Sequence, residues 1–265
     1  VVVNLIKAGE ASGKLDTFLQ KIVINLEKTA KIKAQIKSAL FYPAVLFTVA
    51  IGVTVFMLMN VVPTFVNMYE GMGLGDKLPT PTAVIMSMSK FVRSSGGFFL
   101  LMSIISFVVG FKFLIKKNYE ARRAWHVVLL RLPIFGNLIQ KSILAKVSLV
   151  MGNLNSAGVD LIESIDIAKS VTDNVPVVEA LENIKKGVFS GKSLTDLFNK
   201  EKFFPTTFSQ LISVGEQTGS LDEMFNSVAM YYEEEFDTAV ANLASLIEPI
   251  MIVFMGITIG GLMLA

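Results

Sequence analysis

Long apolar stretches alternate with polar, helix-patterned segments along this chain of 265 residues. Residues 44–66 carry no charge, residues 97–115 carry a single lysine, and residues 249–265 are again uncharged. A membrane-spanning α-helix needs about 20 predominantly apolar residues. The pattern therefore predicts three transmembrane helices, at 44–66, 97–115 and 249–265.

The segments between these stretches have the period of amphipathic helices. Apolar side chains recur three or four positions apart from Leu15 to Leu26, and again from Leu221 to Phe236. Such spacing places them on one face of a helix, and the alternating pattern of a strand is absent. We expect an all-α polytopic membrane protein with helical-bundle domains at 1–43 and 116–248, and a short external loop at 67–96.

Composition supports the membrane assignment and limits the chemistry. Hydrophobic residues make up 52% of the chain, charged residues only 17%, and mean hydropathy is +0.59. These values lie outside the range of soluble globular domains. A net charge of +2 gives no reason to expect nucleic-acid binding, and the lack of cysteine excludes disulfides and thiolate metal sites.

The distribution of basic residues predicts the orientation. Lysines and arginines follow the second apolar stretch and precede the first, whereas the segment 67–96 carries only three. Because basic loops stay on the cytoplasmic side, we expect the N-terminal segment and 116–248 to be cytoplasmic and the protein to be a multi-pass inner-membrane protein.

A twelve-residue element occurs twice. Residues 5–16 and 211–222 match at seven of twelve positions with a constant offset of 206. An internal repeat of this kind predicts two related helical units. The segment ahead of the second copy has no counterpart ahead of the first, so we expect 1–43 to be the C-terminal part of a first cytoplasmic domain. We also expect the third span to be truncated.

Glycines and glutamates of this element are candidate structural or partner-contact residues. We expect the glycines to break helices, and the glutamates to satisfy exposed backbone donors nearby. The residues are Gly9, Glu10 and Gly13 in the first copy, and Gly215, Glu216 and Gly219 in the second.

The two copies differ sharply in charge. Residues 5–43 hold seven lysines and three acids, which gives +4, whereas residues 211–249 hold eight acids and no basic residue, which gives −8. Opposite charges on two related helices favour a contact between them. We expect Lys28, Lys31 and Lys33 to face Glu233, Glu234 and Asp237, within one chain or across subunits.

No catalytic or cofactor-binding constellation stands out. The one histidine, His126, has no carboxylate or cysteine near it in sequence, and Gly191-Lys192-Ser193 lacks the earlier glycine and the preceding strand of a phosphate loop. We therefore expect no enzyme, no cofactor and no metal.

Positions at the ends of the apolar stretches are further contact candidates. Glu248 stands immediately before Pro249, where a carboxylate is costly unless it is hydrated or paired. It is either an interfacial acid or a contact with another helix or subunit. Pro43 stands at the entrance of the first span, and Gly256 and Gly260 offer a small-residue face for helix packing.

Several motifs together resemble the inner-membrane platform protein of type IV pilus and type II secretion systems, the PilC/GspF family. They are the duplicated Gly-Glu-x-x-Gly element, Phe41-Tyr42-Pro43, Val61-Val-Pro-Thr-Phe65, Leu132-Pro-Ile-Phe-Gly136, and Tyr231-Tyr-Glu-Glu-Glu-Phe236 running to Glu248-Pro249.

This resemblance implies a non-enzymatic scaffold, with the pilus branch favoured over type II secretion. It implies coupling of a cytoplasmic hexameric pilus assembly or retraction ATPase to insertion or extraction of major and minor pilins. It also implies contacts with other inner-membrane alignment-complex proteins, with membrane lipid and with further copies of the chain. A transporter or permease subunit is a more distant alternative.

Overall fold

The computed structural model describes residues 15–71 and 80–263, and these residues are helical apart from short connections. The prediction of an all-α fold is confirmed over this part of the chain. The helices are α1 (Leu15–Phe56), α2 (Val62–Gly71), α3 (Thr80–Arg93), α4 (Ser95–Lys117), α5 (Tyr119–Arg131), α6 (Phe135–Ser156), α7 (Leu161–Ala168), α8 (Val175–Phe189), α9 (Leu194–Lys200), α10 (Thr206–Thr218) and α11 (Leu221–Met263). A π turn, Met57–Val61, joins α1 to α2.

Contacts divide the chain into two compact units, each made from separate segments. The bundle unit comprises Val1–Lys37 and Asn118–Ala241, and the apolar unit comprises Ser38–Lys117 and Asn242–Ala265. Each is described below over the residues that the structure defines.

The bundle unit is organised around α6. Twelve of its 22 residues are buried, because this helix is apolar on most of its circumference. An aromatic cluster closes one side of the core, with the Phe198 ring centroid 4.7 Å from that of Phe204 and 4.9 Å from that of Phe208. Tilted and edge-on rings at such distances add to the stability gained from burial.

A sharp bend of 104° separates α5 from α6. Ile134 lies at φ 70° and ψ −61°, and the Phe135 N–H donates to the Pro133 carbonyl at 2.8 Å, which together make a γ-turn. A Cβ at Gly136 would clash with the Leu130 carbonyl oxygen. The Leu-Pro-Ile-Phe-Gly motif therefore encodes a tight corner between two helices.

In the apolar unit, Pro63 explains the π turn. Proline has no N–H, and its ring crowds the carbonyl four residues earlier in a regular helix. The Val62 N–H donates to the Met57 carbonyl, five residues back, which leaves the Leu58 carbonyl without a backbone donor. The buried hydroxyl of Ser89 on α3 donates to it at 2.5 Å. A side chain of one helix thus completes the hydrogen bonding of another.

Two helical stretches of the described residues are long and apolar enough to cross a membrane: Ala44–Phe65, which runs from α1 through the π turn into α2, and Leu221–Gly261 in α11. A third is added if the bent pair α5–α6 is counted as one span. The first predicted span lies on the former stretch as far as Phe65, and the third lies on the latter as far as Gly261. The second predicted span, 97–115, lies within the continuous helix α4 but is not among these candidates. The predicted loop 67–96 is largely helical where described, because α2 runs to Gly71 and α3 precedes Ser94.

Candidate functional site

The carboxylate of Glu216 caps the N-terminus of α9. It accepts from the backbone N–H of Leu194 at 2.7 Å and of Thr195 at 3.0 Å, and from the hydroxyls of Ser193 at 2.9 Å and Thr195 at 2.6 Å. The first N–H groups of a helix have no partner within it, so a carboxylate there is well placed. The expectation that Glu216 satisfies backbone donors is confirmed.

The capping bonds also set the charge state of this carboxyl. Burial alone would raise the pKa of Glu216, but the hydrogen bonds from Thr195, Leu194 and Ser193 outweigh burial and hold the pKa below its ordinary value. Glu216 is therefore a charged residue whose hydrogen bonds attach α10 to the start of α9.

The two glycines flanking Glu216 have different roles. Gly219 ends α10 in the left-handed region at φ 74°, so the predicted helix break there is confirmed. The predicted break at Gly215 is wrong, because Gly215 is buried inside α10. A Cβ there would lie 2.8 Å from Met224 Cγ, so the residue is small because α11 packs against it closely. Gly9, Glu10 and Gly13 lie outside the described residues.

Oppositely charged side chains join three helices of the bundle unit. Lys31 Nζ on α1 lies 3.1 Å from Glu233 Oε1 and 3.8 Å from Asp237 Oδ2 on α11. Glu233 raises the pKa of Lys31, first through the hydrogen bond and then through its charge. Lys141 Nζ on α6 lies 2.7 Å from Glu235 Oε2. Acidic residues that lie close together on α11 thus contact two different helices, α1 and α6.

The predicted contact between the two charged helices is therefore confirmed within one chain for Lys31. Glu234 is exposed and makes no ion pair with the described residues, so its predicted contact with Lys28 or Lys33 stays a prediction. Neighbouring positions of a helix point about 100° apart, which sends Glu233 and Glu235 to partners and leaves Glu234 in solvent. The side chains of Lys28 and Lys33 lie outside the described part of the structure.

A groove of about 590 Å³ lies between α1 and α11 in the apolar unit. Tyr42, Leu46 and Val49 line one wall, and Glu248, Ile252 and Met255 belong to the other. We call it the Glu248 groove. Glu248 is exposed and has no ion-pair partner among the described residues. Further into the apolar stretch the two helices touch, with the Phe47 and Phe254 rings stacked at 5.0 Å.

The remaining candidates lie on the same two helices. Both α1 and α11 continue through their prolines, Pro43 and Pro249. No described atom beyond the helix itself lies within 4 Å of a Cβ built on Gly256 or Gly260, so this small-residue face is open in the isolated chain.

His126 has a structural role that sequence reasoning missed. Its Nδ1 accepts from the backbone N–H of Val175 at 3.1 Å and so caps α8. Burial, followed by the charge of Arg122, lowers the pKa of His126, which keeps the ring neutral and able to accept. A single histidine without sequence neighbours of known chemistry gives no signal of such a contact. Over the residues that the structure describes, no cluster of His, Asp or Glu side chains could hold a metal ion.

The described residues thus form a helical protein with helices able to span a membrane, and its candidate sites are surfaces and helix caps. The model of the family "Type II secretion system (T2SS), protein F" matches residues 1–63 and 148–265. The chain belongs to this family.

Curated relatives extend over nearly the whole chain. Type IV pilus assembly protein PilC of Pseudomonas aeruginosa is 35% identical over 264 residues, 99% of this chain and 69% of the relative. PilC of Thermus thermophilus is 37% identical over 262 residues, 97% of this chain and 63% of the relative. Type II secretion system protein F of Aeromonas hydrophila is 32% identical over 256 residues, 95% of this chain and 64% of the relative. The chain thus spans about two thirds of the length of these relatives.

Proposed function

We propose that this chain belongs to an inner-membrane platform protein of a type IV pilus assembly machine. The observation that carries the proposal is its similarity, at 33–37% identity over 97–99% of the chain, to three proteins named for type IV pilus assembly. The helical bundle and the helices able to span a membrane suit a scaffold.

In this role the protein couples a cytoplasmic hexameric ATPase to the insertion or extraction of pilins. The bundle unit is cytoplasmic and offers the exposed Glu234 to a basic partner surface, while Gly256 and Gly260 receive a neighbouring membrane helix.

The test is complementation in the source cell with the full-length protein. Deleting the gene should abolish pili, and restoring it should return them and allow the tagged protein to pull down the pilus ATPase from detergent-solubilised membranes. A Glu234→Lys variant should reduce ATPase recovery, and Glu163→Lys on the bundle unit serves as the control for added positive charge. Normal piliation in the deletion strain would overturn the proposal.

A second candidate is the equivalent platform of a type II secretion system, because the matching family model and three relatives at 29–34% identity carry that name. The same deletion strain distinguishes the two functions. Loss of secreted enzymes with normal pili would favour the secretion system.

A further inference from the structure

The Glu248 groove and one face of α4 are both mainly apolar, and they carry charges of opposite sign. Groove positions on α1 follow the spacing 42, 46 and 49, and those on α11 follow 248, 252 and 255. Residues three, four and seven apart share one face of a helix and extend over about 10 Å. The groove is therefore a seam between two helices that suits a third helix.

Helix α4 carries a stripe with the matching period. Met102, Ile105 and Val109 are 52%, 56% and 62% exposed, and Lys112 is exposed at the end of the same row. The stripe has an apolar body with a cation at one end. The groove has an apolar body with the Glu248 carboxylate at one end.

The charges of Lys112 and Glu248 both lack a partner of opposite charge among the described residues. Among the described residues, neither Lys112 nor Glu248 takes part in an ion pair. Both lie near ends of apolar helical stretches, where a charge is costly unless it is hydrated or paired. Both belong to the apolar unit, and no residue of α4 lines the groove, so α4 of the same chain does not fill it.

We propose that the groove binds α4 of a second copy of this chain, with Lys112 beside Glu248. If the three apolar stretches cross the membrane in turn, α4 runs antiparallel to α1 and α11. Lys112 then meets Glu248 and Tyr42, Val109 meets Ile252, and Ile105 meets Met255. The proposal deepens the proposed scaffold function and rests on its membrane topology.

Charge favours a protein helix over a lipid in the groove. An amine-bearing phospholipid also has an acyl chain and a cation, but its phosphate lies next to the amine. The lining has one carboxylate and no basic side chain to receive that phosphate. Because the groove and the stripe are different surfaces of one chain, two copies related by a two-fold axis can each place α4 in the groove of the other.

Cysteine cross-linking tests the contact, because residues 1–265 contain no cysteine. Any cysteine elsewhere in the full-length protein is replaced by serine. Two differently tagged copies of the full-length protein, one with Ile105→Cys and one with Met255→Cys, are expressed together in cells lacking the other pilus proteins. Mild oxidation of the membranes should give a disulfide-linked pair carrying both tags. The control replaces Ile105→Cys by Phe107→Cys, which is 71% exposed but about 200° away around α4.

A charge exchange tests the pairing itself. Glu248→Lys on the Met255→Cys copy should abolish the cross-link, and adding Lys112→Glu to the Ile105→Cys copy should restore it. Protease protection of the membranes verifies that each variant inserts. If Glu248→Lys abolished the cross-link only by disturbing α11, adding Lys112→Glu would not restore the cross-link.

Three results would overturn the inference. These are an equal cross-link from Phe107→Cys, a link to a different membrane protein instead, and no link while the variants remain inserted. The cross-linking assay needs no pilus. If no cross-link forms although the protein restores pili in the complementation test, only this contact is overturned. If the two copies cross-link as expected but deleting the gene leaves pili unchanged, only the proposed function is overturned.

Discussion

Glu216 and Ser89 each complete hydrogen bonds that a neighbouring helix cannot make for itself. Glu216 accepts from the free N–H groups at the start of α9, and Ser89 donates to the carbonyl that Pro63 leaves open at Leu58. Buried backbone groups without partners are costly. Each side chain therefore fixes the position of one helix against another.

Replacing Glu216 should loosen α9. Glu216→Ala removes the acceptor for two backbone donors and should lower the free energy of unfolding of the bundle unit by about 1–2 kcal/mol. Glu216→Gln keeps one carbonyl oxygen and should cost less. In the full-length Glu216→Ala protein in detergent, backbone hydrogen exchange should be faster at Leu194 and Thr195. The matched control is Glu163→Gln, in which exchange at these two residues should not change. Equal protection in all variants would contradict the capping role.

The same carboxylate should make stability depend on pH. Because the pKa of Glu216 is lower in the folded protein than its ordinary value of 4.5, its contribution is complete above pH 4.5. The contribution is lost as pH falls through the folded pKa. The stability difference between the wild type and Glu216→Gln, measured by urea unfolding, should be constant above about pH 5 and shrink in more acidic buffer. A difference that does not change with pH would show that the carboxylate charge is irrelevant.

Removing the Ser89 hydroxyl should destabilise the apolar unit. Ser89→Ala leaves the Leu58 carbonyl without a donor in apolar surroundings, at a cost of about 1–2 kcal/mol. Thermal unfolding in detergent should occur at a lower temperature. Ser87→Ala is the control, since Ser87 is exposed and donates only to the Val84 carbonyl of its own helix. Equal shifts in the two variants would argue against a specific role of Ser89.

At the scale of helices, α11 uses successive acids to hold α1 and α6 on different sides. Glu233 and Asp237 contact Lys31, and Glu235 contacts Lys141. These ion pairs are only partly exposed, and pairs at protein surfaces contribute about 0.2–1 kcal/mol each. They orient the helices more than they stabilise them.

Exchanging the charges should test this orientation. Lys31→Glu should weaken the attachment of the N-terminal part of α1, measured as faster proteolysis of that segment, and adding Glu233→Lys should restore protection. The effect should be larger at low salt, where screening is weaker. Glu234→Lys alone should have little effect, because Glu234 has no ion-pair partner among the described residues. A double variant as sensitive as Lys31→Glu would contradict the pairing.

Helical period and charge were sufficient to predict the all-α fold, the role of Glu216 and the attraction between Lys31 and Glu233. They were insufficient for Gly215, where a glycine beside a repeated motif suggested a break. Its small size instead serves the close approach of Met224, which only tertiary packing reveals. The cap by His126 likewise depends on Val175, which is distant in sequence. The corner at Ile134 depends on a backbone angle that a β-branched residue rarely adopts.

At the scale of the whole chain, each unit is assembled from segments far apart in sequence. The bundle unit joins residues near the N-terminus to Asn118–Ala241, and the apolar unit joins Ser38–Lys117 to Asn242–Ala265. The entropy of closing such long connections must be overcome before the contacts form. Neither unit is complete until its second segment is available.

Membrane topology is a property of the whole chain and can be tested directly. A cysteine at Gly73 should react with an impermeant maleimide added to intact cells, whereas a cysteine at Lys186 should react only after the membrane is opened. The reason is the excess of basic residues around the segments predicted to be cytoplasmic. Labelling in the opposite sense would overturn the proposed orientation.

The bond between Ser89 and Leu58 has a consequence for biosynthesis. The two residues are 31 positions apart, so Leu58 leaves the ribosome well before its donor has been made. During that interval the nascent first span carries a carbonyl that lipid cannot satisfy. We expect the insertion machinery, or water held within it, to shelter this carbonyl until α3 arrives, so that the two helices enter the bilayer as a pair and not one after the other.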